Sequence, residues 1–100
     1  MIVRVLSIPF RVRIVPPERL DGAYGRTSAR AQLIELAADQ PPANMRDSLL
    51  HEVLHACFAQ TSLASDRSWE RREEQVVRAL TPVLLQVLRS NPKLVRALLE

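Results

Sequence analysis

The chain has one cysteine, Cys57, so no internal disulfide can form and a reducing compartment fits. Cys57 sits in an apolar stretch, where a buried, inert thiol is expected. No apolar run approaches the roughly 20 residues that cross a bilayer. Met1–Phe10 is apolar, but Arg4 and Pro9 interrupt it and no small-residue cleavage site follows, so it does not read as a signal peptide. These absences point to the cytoplasm and to no membrane association. Tyr24 and Trp69 are the sole tyrosine and tryptophan, and they form no basic–aromatic interleaving. Lysine is nearly missing, so the formal charge of +3 is carried by arginines, which show no stripe or cluster beyond Arg71-Arg72. Nucleic acid is therefore not an expected partner, although a strongly salt-dependent association would point to one. No repeat, low-complexity segment or linker is present, and residues 1–100 read as a single domain.

What the chain does have is apolar material for one core, with 47% of its 100 residues hydrophobic. A domain of this size buries roughly 60–70% of the surface its unfolded chain exposes. Stability is then modest, and a ligand bound only by the folded form would add to it. Phe10–Val15 alternates apolar and charged residues, the period of a half-buried strand. Ile2–Leu6 is an earlier strand or the start of the same one, and Pro16-Pro17 ends it. Ala23–Arg26 is a short strand candidate, and Ala31–Leu36 is a stronger one. A small antiparallel sheet of about three strands is the expectation.

Helical spacing then takes over. Asn44 is an N-cap candidate with Asp47 in the first turn, and Leu50, Leu54, Cys57 and Phe58 recur at helical intervals. After a polar link through Ser62, Ser65 and Asp66, Ser68 can cap a helix carrying Val76, Val77 and Leu80. Thr81-Pro82 and Asn91-Pro92 each read as a cap followed by proline at the first helical position, so the last third should form two or three helical pieces. Strands followed by helices make an α+β class.

His51-Glu52-Val53-Leu54-His55 carries the chemistry. Residues four apart on a helix share a face at about 5–6 Å, so both imidazoles can offer a nitrogen to one zinc ion at about 2.0–2.1 Å. Glu52 falls beside the metal rather than on it. From there its carboxylate can take a proton from a zinc-bound water whose pKa the metal lowers to about 7. These are the only histidines, so the third ligand of a catalytic zinc has to be a carboxylate. Asp66, Glu70, Glu73 and Glu74 are the candidates. Glu73 is preferred because it shares the inward stripe of Val76, Val77 and Leu80, whereas Glu74 lines up with Arg78 and Thr81 on a solvent-facing stripe. The expected site is one zinc on His51, His55 and Glu73, with Glu52 as catalytic base and peptide-bond hydrolysis as the reaction. Phe58 and Thr61 stand where the metzincin extension has glycine and histidine, which excludes that subclass. Asp47, one turn before His51, is a candidate hydrogen-bond partner for a ligand imidazole.

Leu49–Ala56 together with Glu73–Leu80 resembles the gluzincin metallopeptidases, and more narrowly the small ImmA/IrrE-like and phage-encoded zinc peptidase domains. The resemblance implies a minimal zincin-like fold, with a short sheet before the metal helix and the glutamate ligand on a second helix. It places that ligand on Glu73, in a Glu-x-x-Ala-Asn-type segment where this chain has Val76-Val77 in place of Ala-Asn. It also implies an edge strand, Ala31–Leu36 or the Tyr24 segment, that holds an extended substrate by β-addition. A protein substrate such as a repressor-type regulator follows from the same likeness. Tyr24 is a candidate oxyanion stabiliser, as in larger gluzincins. A different class stays open: a catalytically silent zincin-like domain acting as a protein-interaction module.

Overall fold

The computed structural model describes all 100 residues as an α+β fold with four strands and three helices. β1 (Ile2–Val5) turns through Leu6 and Ser7 into β2 (Ile8–Val15). A 3-10 turn at Pro17–Leu20 leads to β3 (Gly25–Ser28) and β4 (Leu33–Ala37). The order across the sheet is β1-β2-β4-β3. The outer pairs are antiparallel, whereas β2 and β4 run parallel, with Val12 opposite Ile34 and Arg13 opposite Glu35. The sheet therefore has four strands rather than three, and it is mixed rather than antiparallel. Alternation shows which face a strand buries but not the direction of its neighbour. Ala31–Leu36 becomes the interior strand β4, paired on both sides, so it has no open edge. Of the two segments considered for β-addition, only the one after Tyr24, now β3, keeps a free edge.

Phe10, Ile34 and Leu36 point to one face of the sheet and are buried there with Val5 and Ala56. α1 (Pro42–Ala59) lies on that face through Met45, Leu49, Val53, Ala56 and Cys57. This stripe runs one residue behind Leu50, Leu54 and Phe58, which are half-buried too but do not pack on this core. Phe58 instead meets Trp69 of the next helix, with ring centroids 4.7 Å apart. Cys57 packs against the core but is half-buried rather than buried, and that burial pushes its thiol pKa up, which favours the thiol over the reactive thiolate. α1 begins at Pro42 rather than after Asn44. Proline suits this place because its φ is pre-set and its missing N–H had no helical partner.

α2 (Arg67–Ser90) is capped by Asp66, whose carboxylate accepts from the backbone N–H groups of Ser68 and Trp69, so Asp66 and not Ser68 is the cap. The helix runs unbroken through Pro82. An interior proline costs about 3 kcal/mol, so packing along the Trp69, Glu73, Val77 and Thr81 line outweighs it. Val77 and Thr81 are the buried members of that line, and the Thr81 hydroxyl donates to the Val77 carbonyl. Thr81 is thus inward rather than solvent-facing, while Leu80 is exposed. The break at Asn91-Pro92 does occur, and α3 (Pro92–Leu99) starts there. No helix is long and apolar enough to cross a membrane. Only 12 of the 100 residues are buried, so the core is thin and a bound ion would matter to stability.

Candidate metal centre

Helical spacing on α1 brings His51 and His55 together on the side that faces α2. Their Nε2 atoms are 3.2 Å apart. Two nitrogens bound to one tetrahedral zinc at the usual bond length lie about 3.3 Å apart, so the pair is spaced for a shared ion. Glu74 of α2 supplies a carboxylate to the same point, with Oε1 2.7 Å from His51 Nε2 and Oε2 3.0 Å from His55 Nε2. The ligand atoms of these three residues lie within 4.8 Å of one another. Two imidazoles and one carboxylate form a donor set that suits zinc, in the number typical of catalytic sites.

Glu73 lies elsewhere. Its Oε2 is 2.6 Å from the other ring nitrogen of His55, Nδ1, and its Oε1 accepts the indole N–H of Trp69 at 3.0 Å. The neutral imidazole of His55 then donates from Nδ1 to Glu73 and turns a bare Nε2 lone pair toward the cluster. Glu73 is inward, as its stripe suggested, but it reaches behind the histidine. Glu74, one step round the helix, reaches the cluster itself. Asp66 is committed to capping α2, and Glu70 is exposed with no hydrogen bond to either histidine. Burial pulls the pKa of His55 down, but the bonds to Glu73 and Glu74 outweigh it and hold the value above the ordinary imidazole range. A metal ion must displace that proton, so binding weakens as pH falls through the raised value.

Glu52 is 7% exposed and faces β3. The Thr27 hydroxyl lies 2.7 Å from its Oε1 and 3.0 Å from its backbone carbonyl. Burial pushes its carboxyl pKa up, opposed by Thr27 and by the two imidazoles. A raised value moves the group toward the range where a general base works at neutral pH. Gly25 makes room for it, since a Cβ there would stand 2.9 Å from both Cγ and Oε2 of Glu52. Gly25→Ala is expected to push Glu52 from its place and to destabilise the fold by about 1–3 kcal/mol, the usual cost of overpacking. Denaturant unfolding of the two proteins checks this. Thr27, Trp69 and the role of Gly25 escaped sequence reasoning. Trp69, one helical turn before Glu73, was the signal that existed.

His51, Glu52, His55, Glu73 and Glu74 line one cleft of about 720 Å³ with Thr27 and Gly25, and Tyr24, Asp47, Ser48 and Arg78 also border it. Tyr24 is 62% exposed at its rim, so it is within the cleft but not packed into place. Asp47 is exposed and makes no hydrogen bond to either imidazole. Arg78 Nη2 is 3.7 Å from Glu74 Oε1. No family model, curated protein or solved structure matches this chain.

Proposed function

We propose that this chain is a zinc-dependent metallopeptidase in which His51, His55 and Glu74 hold the metal and Glu52 is the general base. The observation that carries this reading is the meeting of both Nε2 atoms, 3.2 Å apart, with the Glu74 carboxylate. Zinc, when bound, supplies a Lewis acid that polarises a carbonyl and acidifies water. Glu52 takes the proton of the attacking water and hands it to the leaving amine. Thr27 fixes one of its oxygens, Oε1, and leaves Oε2 for the proton. Glu73 and Trp69 hold the ring of His55 in the tautomer that keeps Nε2 bare.

The polar cleft and the free edge of β3 suit an extended peptide, which would add to the sheet through its backbone. The likeness of Leu49–Ala56 to the gluzincins supports the same chemistry, and with it a cytoplasmic protein substrate, for which a repressor-type regulator is the candidate. Zinc-loaded protein is expected to cleave an unstructured polypeptide, to stop when the ion is chelated and to recover when zinc is returned. Full zinc occupancy with no cleavage of any unstructured polypeptide would leave only the interaction-module reading.

A further inference from the structure

All four arginines on the strands face the same way. Val3, Val5, Phe10, Val12, Ile34 and the Thr27 that binds Glu52 point toward α1. Strand alternation therefore turns Arg4, Arg11, Arg13 and Arg26 to the opposite face, which no helix covers. Arg19 of the 3-10 turn joins them there, because Leu20 packs on Val15 and Ala37 at one end of that face. Glu35, the one acid on any strand, is 4% exposed beneath them. It accepts from Arg19 at 2.7 Å, Arg26 at 3.2 Å and Arg13 at 3.5 Å. Burial pushes its pKa up, yet Arg19 and Arg26 outweigh this and hold the carboxyl below its usual range. One carboxylate thus tethers three guanidinium groups while neutralising one charge, and Arg4 and Arg11 have no acidic partner. Glu18 and Asp21, on the same turn as Arg19, pair with none of these arginines.

We infer that this sheet face binds nucleic acid through its phosphate backbone, without reading bases. The sequence argued against such a partner because its arginines look scattered, and the fold gathers five of them. Planar guanidinium groups can grip phosphates bidentately. The one aromatic residue on the strands, Phe10, is buried on the other face, so these strands offer no base-stacking platform of the single-strand type and the fit is to duplex backbone. The metal cleft opens on the other side of the sheet, so this inference is independent of the peptidase reading.

The test is the affinity of the full chain for a mixed-sequence duplex of DNA, and for the same duplex as RNA, by fluorescence anisotropy. With four or five phosphates neutralised, affinity should fall about 150–500-fold between 50 and 200 mM salt. Arg4→Glu with Arg11→Glu should weaken binding at least about tenfold and flatten the salt slope by about 2, one for each lost phosphate contact. Arg4→Gln with Arg11→Gln should act in the same direction and guards against misfolding. Arg71→Glu with Arg72→Glu changes net charge equally on α2 and should leave binding nearly intact. Binding of either duplex with this variant pattern supports the inference. Failure to bind both duplexes at 50 mM salt overturns it, as does equal loss in the Arg71/Arg72 variant. Tight binding of polyglutamate or anionic vesicles without duplex binding overturns it too.

Discussion

Replacing Glu52 by glutamine should remove peptide hydrolysis by about 10²–10⁴-fold, the share that a positioned acid–base group contributes, while zinc stays bound. The amide keeps the shape of the side chain and can still accept from Thr27 through one oxygen. It cannot take a proton from water. The same substitution should raise the melting temperature of the metal-free protein at neutral pH. The folded-state pKa of Glu52 lies above its ordinary value because of burial. A carboxyl raised in this way binds its proton more tightly in the folded state, so it costs stability as pH rises through the ordinary carboxyl range. Glutamine removes that cost, and the gain should vanish at acid pH where both forms are neutral. Stopped turnover with retained zinc and higher neutral-pH stability is the combination expected of a buried general base. Unchanged hydrolysis would remove Glu52 from the chemistry.

The second large effect separates two adjacent glutamates. Glu73→Ala takes away the group that orients His55, a loss typically worth about 10–100-fold in metal affinity. Glu74→Ala takes away a proposed ligand and should weaken zinc beyond that range. Competition against a chelator of known affinity measures both. The Glu73 variant should also lower the His55 pKa, because the bond at Nδ1 is a main cause of its rise. A larger loss from Glu73→Ala than from Glu74→Ala would mean that Glu73 is the ligand and that α2 turns differently when the ion is bound.

The histidine pair and Glu52 were legible because their relation depends only on the pitch of one helix. Which glutamate meets both Nε2 atoms was not, because that depends on how a second helix is rotated against the first. Residues 73 and 74 differ by about 100° around the axis, and the Val76, Val77 and Leu80 stripe did not resolve that angle. The buried line runs through Val77 and Thr81, with Leu80 outside it. Proline misled at one of its two positions. Pro82 lies within α2, where packing overrides its local cost, whereas Pro92 does begin a helix. The arginine face was half legible: Arg11 and Arg13 share a face by alternation alone, but the meeting of Arg13 with Arg26 across Glu35 needed the parallel pairing of β2 with β4.

The most direct test of the metal centre is elemental analysis of the protein purified without chelators, alongside His51→Ala. On this proposal we expect about one zinc per chain in the native protein, matching the one group of three side chains placed to hold an ion, and none retained by the variant. No bound metal after exposure to zinc at neutral pH, or equal zinc in both proteins, would contradict the assignment of this cluster as a metal centre.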